Sequence, residues 1–219
     1  MTRMLKQSVP MLTAWLLAAG LGFAANAGAN QAREWRFTVF LDNKEIGYHH
    51  FSLKQFGRRQ RLDSEARFKV KFLLFDAYRY EHNNVEWWQG DCLAGIQSRT
   101  NDNGETFSVQ GGIARDRFTV ETGLDDKSLP PCVVSFAYWD PALLARPRLL
   151  NAQTGEYVEV TVAPMGPDTL TVRGEPVAAY RYRLSGEDLK IDLWYSPDNH
   201  WLALESTLEG GRKLRYRMQ

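Results

Sequence analysis

Only two cysteines occur among the 219 residues, and neither sign of charge dominates, since 27 Lys+Arg face 26 Asp+Glu. Two cysteines are too few for a cysteine-rich zinc module or a disulfide-dense miniprotein. A formal net charge of +1 provides no overall attraction to nucleic acid or to an anionic membrane surface. We therefore expect no nucleic-acid partner.

The sequence also lacks the short motifs that mark common catalytic and metal sites. It contains no G-x-S-x-G elbow, no P-loop, no G-x-G-x-x-G and no H-x-H, H-E-x-x-H or C-x-x-C spacing. The adjacent His49 and His50 fall in a predicted strand, so their side chains point to opposite faces. We predict no catalytic residue, no metal site and no cofactor.

Residues 1–27 have the pattern of a secretory signal peptide. Arg3 and Lys6 precede an apolar stretch over residues 9–23, and Ala25-Asn26-Ala27 forms an A-x-A cleavage site. The apolar stretch is shorter than the roughly 20 residues of a membrane span, so no stable span remains after cleavage. These features predict a periplasmic or secreted protein; an uncleaved N-terminal anchor is the alternative.

Export changes the interpretation of Cys92 and Cys132. In an oxidising compartment two cysteines usually pair, and no C-x-x-C suggests a redox site. We predict a structural disulfide, which would close a loop of about 40 residues and stabilise the fold by about 4 kcal/mol. Two unpaired thiols or a catalytic thiol are the alternatives.

Period-two alternation of apolar and polar residues dominates residues 28–219. Trp35, Phe37 and Val39, for example, share one face of a predicted strand. About twelve strands follow one another without a repeat, a linker or βαβ alternation, which predicts a single antiparallel β domain over residues 28–219. The polar segment 125–131 contains a Pro-Pro pair and is predicted to be a loop.

One short helix is predicted inside this β domain. Asp140 is a suitable N-cap, Pro141 fits the first helical position, and Pro147 prevents the helix from continuing. The Asp102-Asn103-Gly104 sequence predicts a tight hairpin turn.

The predicted strand over residues 60–74 is long enough to require a curved sheet. At 3.3 Å per residue it would extend about 50 Å, and strands of that length coil. The fold class is therefore all-β with one short helix, in which a long, strongly curved antiparallel sheet forms an open or incomplete barrel. The concave side would enclose the helix, a ligand or both. An apolar or amphipathic ligand would be lined by aromatic and aliphatic residues: Phe68, Val70, Phe72, Tyr78, Tyr80, Trp88, Trp139 and Leu143. The alternatives for the aromatic residues are that they fill a β core, as is more common, or stack on sugars.

The C-terminal strands are predicted to have one solvent-exposed face. Asp192, Glu205 and Arg215 alternate with apolar residues, and opposite charges on neighbouring strands pair across a sheet. Leu202 and Leu204 are both assigned to the apolar face.

A local excess of positive charge marks residues 54–71, where seven Lys/Arg accompany two Asp/Glu. Arg58, Arg59 and Arg61 are its centre and predict a basic surface. Such a run is more often a solvated face than a binding surface; anionic lipid headgroups or an acidic partner are the alternative.

Several stretches together resemble a family of exported bacterial proteins classified only as a domain of unknown function. They are W-R-F-T-V-F-L-D-N-K-E-I-G-Y-H at 35–49, Y-R-Y-E-H-N-N-V-E-W-W at 78–88, D-C-L at 91–93, S-F-A-Y-W-D-P at 135–141, L-L-N-A-Q-T-G at 149–155 and L-W-Y-S-P-D at 193–198. The L-D-x-x-x-I-G pattern is also similar to a broader set of periplasmic proteins. That set is similar in shape to the lipoprotein-localisation factors, whose incomplete β-barrel holds acyl chains around a helical plug. The resemblance implies no catalytic residue.

These observations favour a non-enzymatic periplasmic protein that binds or carries an apolar or amphipathic, lipid-like ligand in a curled sheet. The alternative is an envelope assembly or scaffold protein that acts through protein contacts, with a partner that the sequence does not identify. A cell-envelope hydrolase ranks third, because a catalytic cluster can assemble from residues distant in sequence.

Overall fold

A computed structural model describes residues 32–72, 75–123 and 125–219, without the side chains of residues 71, 72, 75 and 76. The predicted signal peptide, residues 1–27, lies outside the described residues. The strands are β1 (Arg33–Leu41), β2 (Lys44–Phe56), β3 (Arg59–Phe72), β4 (Phe75–Gln89), β5 (Cys92–Asp102), β6 (Glu105–Ala114), β7 (Arg117–Thr122), β8 (Asp126–Leu129), β9 (Arg148–Leu150), β10 (Tyr157–Glu159), β11 (Thr161–Val172), β12 (Glu175–Ser185), β13 (Lys190–Tyr195), β14 (Trp201–Thr207) and β15 (Lys213–Met218). Two 3₁₀ turns cover Pro141–Ala145 and Glu209–Gly211.

Thirteen of these described strands form one antiparallel sheet, in the order β11-β12-β13-β14-β15-β1-β2-β3-β4-β5-β6-β7-β8. The sheet consists of two meanders, β1–β8 and β11–β15, in which consecutive strands pair. Strand β1 joins the two meanders, because it pairs with both β2 and β15. The edge strands β8 and β11 do not pair with each other, so hydrogen bonds do not close the sheet. The predicted open or incomplete barrel is confirmed.

Alternation places most apolar side chains of the large sheet on the concave side. In β1, Trp35, Phe37 and Val39 are at most 4% exposed, whereas the intervening Glu34 and Arg36 face solvent. The predicted turn also forms: Asn103 and Gly104 both have positive φ, at 53° and 101°, and connect β5 directly to β6. Local sequence therefore determines both the strand faces and the tight hairpin.

The concave side is filled by the chain itself. Residues 133–160, called the plug below, contain the small β9–β10 sheet and one 3₁₀ turn. The plug packs into the same buried core as the sheet, through residues that include Val133, Trp139, Leu143, Leu149 and Leu150. The Tyr195 hydroxyl donates to the Tyr138 carbonyl at 2.8 Å, which ties the plug to β13.

The predicted helix is a single 3₁₀ turn, Pro141–Ala145. Asp140 is its N-cap as expected, because the carboxylate accepts a hydrogen bond from the Ala142 backbone N–H at 2.9 Å. The turn ends at the Arg146 cap, before Pro147. Its brevity has a packing reason: Leu143 is fully buried, and one turn suffices to place it in the core.

A disulfide joins Cys92 to Cys132, as predicted. It fastens the start of the plug to the start of β5, where the Leu93 N–H also donates to the Val133 carbonyl at 2.8 Å. Covalent and backbone bonds thus fix the point at which the chain enters the concavity.

Two predicted loop or strand assignments were wrong. The segment 125–131 is not a continuous loop, because Asp126–Leu129 pairs with β7 as the edge strand β8. The C-terminal part also differs, since Leu202 lies on the convex face with Trp194 and Ala179 rather than beside Leu204. A register shift between Trp194 and Tyr195 in the β13–β14 pair produces that reversal.

The convex face of the C-terminal strands carries the predicted cross-strand charge pairs. Asp192 on β13 accepts from Arg183 on β12 at 2.8 Å, and Glu205 on β14 accepts from Arg215 on β15 at 2.7 Å. These four residues lie in one row across the sheet. Among the described residues no helix is long and apolar enough to cross a membrane.

Candidate functional site: an edge cleft and an inner polar cavity

A cleft of about 1390 Å³ opens where the two edges of the sheet face each other across the plug. Lys127 of β8 lies on one side, and Thr161 of β11 and Ser185 of β12 lie on the other. Tyr157 and Val158 of the plug form part of its floor. The volume exceeds the 300–1,000 Å³ typical of small-molecule sites, so the cleft has room for a sizeable ligand.

The walls of this cleft are mixed in character. Apolar contact surface comes from residues such as Phe136, Val160 and Leu189. The charged residues around it are more acidic than basic: Glu156, Glu159, Glu187 and Asp188 against Lys127 and Arg148. Arg148 is already paired with Glu159. The walls of the cleft thus combine apolar contact surface with an excess of acidic groups.

A second cavity of about 210 Å³ lies deeper, between the plug and the concave faces of β2, β3 and β4. Phe136, Asn151 and Leu189 line both spaces and form the boundary between them. The inner cavity is smaller than an ordinary ligand pocket and therefore fits only a small group or part of a larger ligand.

Polar side chains occupy the centre of this otherwise apolar concave face. Across neighbouring strands, Ser64, Asn84 and Ser98 form one row, and Ala66, His82 and Thr100 form the next. Apart from Ala66 these are buried polar residues, at most 7% exposed. Burial of polar groups is unfavourable unless they are hydrogen-bonded, so their partners decide what the cavity can do.

Most of these groups are satisfied within the protein. Ser64 is 2.9 Å from His49 Nε2, and His49 Nδ1 is 3.1 Å from the Tyr216 hydroxyl. His82 Nδ1 is 2.7 Å from the Thr100 hydroxyl. These contacts hold the two imidazoles in fixed positions against the cavity wall.

Glu86 is the acidic residue of this buried set. Its carboxyl accepts hydrogen bonds from Asn84 Nδ2 at 3.0 Å and from Trp88 Nε1 at 2.9 Å. Burial raises its pKa above the ordinary value, although hydrogen bonds from Asn84, the Ser135 hydroxyl and Trp88 lower it. Burial also lowers the pKa of His82 to about 4 and that of His49 well below 6.5. Both imidazoles are therefore uncharged at neutral pH.

Two buried polar atoms around the inner cavity have no hydrogen-bond partner: Asn84 Oδ1 and Trp139 Nε1. Each of the two residues is 6% exposed. Together they offer an acceptor and an N–H donor to the same small space.

The residues predicted to line a ligand site are divided between this cavity and the packed core. Tyr80 and Trp139 line the inner cavity. Phe68, Trp88 and Leu143 are buried in the core, and Val70 packs against it. Tyr78 is half-buried, and burial raises its pKa. The side chain of Phe72 lies outside the described residues, and a role of these residues in ligand binding stays a prediction.

The predicted basic surface is partly neutralised. Arg58 and Arg59 are exposed at the β2–β3 turn. Arg61 pairs with Asp63 at 2.6 Å and lies over the Trp87 ring at 5.6 Å.

The sequence did not single out Asn84, Ser135, Asn151 and Leu189. For Asn84 a signal existed, because β4 alternates through Tyr80, His82, Asn84, Glu86 and Trp88, so polar residues share a face with buried aromatics. Ser135 and Asn151 carry no comparable signal, since they lie in the irregular plug. Among the described residues no group of three His, Cys, Asp or Glu is arranged to hold a metal.

An incomplete antiparallel barrel with an internal plug is the class of protein that this fold and site define. Within that class, the chain belongs to the family described as a domain of unknown function (DUF6134), whose model matches residues 37–219. Comparison with curated proteins found no match. Among solved structures, the chain is similar to a β-barrel-like protein of domain of unknown function DUF1849 from Brucella abortus, with a TM-score of 0.64 and 9% identity over 86% of this chain and 95% of that one. At that identity the likeness concerns the fold alone.

Proposed function

We propose that this protein is exported to the periplasm, where it binds and carries an amphipathic, lipid-like ligand without catalysing a reaction on it. The observation that carries the proposal is the cleft of about 1390 Å³ between the unpaired sheet edges, which meets a polar cavity at Leu189. A mixed apolar and acidic wall suits an uncharged or weakly polar amphiphile. The disulfide is compatible with an exported protein.

The plug limits where such a ligand can lie. The centre of the barrel is occupied by the plug residues Leu149, Leu150 and Leu143, each fully buried. A chain-like ligand therefore lies along the edge cleft rather than along the barrel axis. The proposed position therefore differs from the site expected from the sequence, which was lined by the concave faces of the strands.

The edges themselves are poor docking sites for another strand. Edge strand β8 has only four residues, and β11 contains Pro164 and Pro167, which have no N–H to donate. Strand addition, the simplest mode for an assembly factor, is therefore less well supported than ligand binding.

Native mass spectrometry tests the proposal on full-length precursor expressed in bacteria and purified from the periplasm without detergent. We expect a bound mass that organic solvent extracts from the wild type. Leu189→Trp should lose it, because the larger ring obstructs the boundary of cleft and cavity. Leu208→Trp makes the same change at an exposed position and should retain it.

The proposal is contradicted if the wild type carries no bound mass and also fails to bind the fluorescent probe 11-(dansylamino)undecanoic acid or its amide.

One contact favours a second candidate, a hydrolase. The Ser64 hydroxyl lies 2.9 Å from His49 Nε2, and Tyr216 orients the other ring nitrogen, which is the arrangement of a nucleophile, a base and an orienting group. The depressed pKa of His49, caused mainly by burial, keeps it in the basic form. The orienting group is a phenol rather than a carboxylate, so the imidazolium that forms during catalysis would lack a negative partner.

A fluorophosphonate probe tests this candidate directly. An active dyad predicts covalent labelling at Ser64 that disappears in Ser64→Ala and persists in Ser108→Ala, a change at an exposed serine. Absence of labelling at Ser64 in the folded wild type excludes serine-hydrolase chemistry at this site.

A further inference from the structure

We propose that the inner cavity recognises an uncharged head group that both donates and accepts hydrogen bonds, such as a hydroxyl or a primary amide, through Trp139 and Asn84. This inference rests on the proposed function and deepens it, because it assigns the polar end of the amphiphile to the cavity and the apolar end to the cleft.

The first step is the set of unpartnered atoms. Native proteins satisfy nearly all buried polar groups, and an exception calls for a missing partner. Asn84 Oδ1 and Trp139 Nε1 are both buried, both lack a partner, and both belong to residues that line this cavity. A bound group that satisfies them must offer a donor to the amide oxygen and an acceptor to the indole N–H.

The second step is charge. No Lys or Arg lines the inner cavity, and its two histidines, His49 and His82, are held by hydroxyl partners in a buried setting. Its one carboxyl, Glu86, already accepts hydrogen bonds from Asn84 and Trp88. An anionic head group would therefore find no counter-charge there. The acidic residues of the outer cleft, Glu187 and Asp188 among them, further disfavour entry of an anion.

The third step is size and connection. About 210 Å³ holds a small head group but not a long chain. Leu189 and Phe136 bound both spaces, so a ligand that passes between them would place its apolar part against the Phe136, Val158 and Val160 side of the cleft. One molecule would then contact both spaces.

Four probes with the same ten-carbon chain separate the possible head groups: decanamide and 1-decanol are uncharged, decanoate is an anion and decylammonium is a cation. Binding to the wild type is measured by displacement of 11-(dansylamino)undecanamide at neutral pH. We expect the two uncharged probes to bind at least tenfold more tightly than either charged probe.

One variant removes a contact while keeping the shape of the cavity. Trp139→Phe removes the indole N–H and should weaken decanamide binding about fivefold. Trp194→Phe is the matched control, because the Trp194 N–H already donates to Asp168 at 2.8 Å on the convex face.

The outcomes distinguish the two proposals. If no probe binds the wild type, the proposed function fails. If all four probes bind with similar affinity and Trp139→Phe binds decanamide like the wild type, ligand carriage stands but head-group recognition is overturned, and the two atoms are satisfied by water. Tighter binding of decylammonium than of decanamide would assign the cavity to a cation held by Glu86 and likewise overturn the inference.

Discussion

Gly47 occupies a backbone position that only glycine fits. Its φ is +149°, and a Cβ placed there would lie 1.9 Å from the Arg67 carbonyl oxygen on β3. It adjoins the register shift between Val39 and Phe40 in the β1–β2 pair. The glycine of the L-D-x-x-x-I-G pattern therefore marks the point at which β2 passes unusually close to β3.

Gly47→Ala should lower the free energy of unfolding by about 3 kcal/mol, because the methyl group forces two central strands apart. Gly57→Ala is the matched control: Gly57 also has positive φ, at 59°, but nothing lies within 4 Å of its added Cβ. That control should cost only about 1 kcal/mol. Urea denaturation measures both, and equal losses would contradict the close approach of the strands.

His82 makes stability depend on pH. Its pKa falls from 6.5 to about 4 on folding because burial disfavours the imidazolium. Between those values the unfolded chain takes up a proton that the folded chain does not, so stability falls as the pH drops from 6.5 to 4, by about 3 kcal/mol. His49 acts in the same direction, whereas Glu86, with a raised pKa, acts in the opposite one.

His82→Gln should remove this part of the pH dependence, since glutamine can still reach Thr100 but does not titrate. The loss of unfolding free energy from pH 7 to pH 4 should then be about 3 kcal/mol smaller than in the wild type. Parallel profiles for His82→Gln and the wild type would show that His82 is not buried in solution.

At the level of elements, the plug depends on its covalent attachment. The Cys92–Cys132 disulfide, with a sequence separation of 40, precedes the plug directly. Cys92→Ala/Cys132→Ala should lower the free energy of unfolding by about 4 kcal/mol on the chain-entropy model. Reduction of the wild type should give the same loss, and a loss below about 1 kcal/mol in both would contradict it.

The same variant should loosen the plug more than the sheet. In hydrogen exchange, the Leu150 amide, which donates to the Val134 carbonyl in the plug, should lose more protection than the amides of β1.

The strands were predictable because their signal is local. Alternation such as Trp35-Phe37-Val39 identifies a face, and Asn103-Gly104 identifies a turn, without knowledge of the rest of the chain. The face of Leu202 was not predictable, because a register shift between β13 and β14 depends on pairing between strands. The strand β8 was missed for the same reason, since its polar residues owe their conformation to pairing with β7.

The candidate site was predictable only in part. Tyr80 follows from the aromatic alternation of a predicted strand, and Trp139 lies beside the predicted short helix. Ser135 and Asn151 lie in irregular chain whose position is set by the disulfide and by contacts to distant strands. No periodic pattern of residues in the sequence predicts where Ser135 and Asn151 lie.

At the scale of the whole molecule, a segment of the same chain fills the interior of the open sheet. The plug supplies the apolar surface that a closed barrel would obtain from its opposite wall, and the edges β8 and β11 remain apart. What is left is an edge cleft and a small polar cavity beside the plug. The similarity of fold to a protein only 9% identical shows that this architecture tolerates extensive change of sequence.

A crystal structure of the protein purified from the periplasm without refolding tests ligand carriage most directly. We expect continuous density that runs along the cleft beside Val158, passes Leu189 and ends within hydrogen-bonding distance of Trp139 Nε1. Density for separate water molecules alone in both the cleft and the inner cavity, in protein that also binds none of the ten-carbon probes, would contradict it.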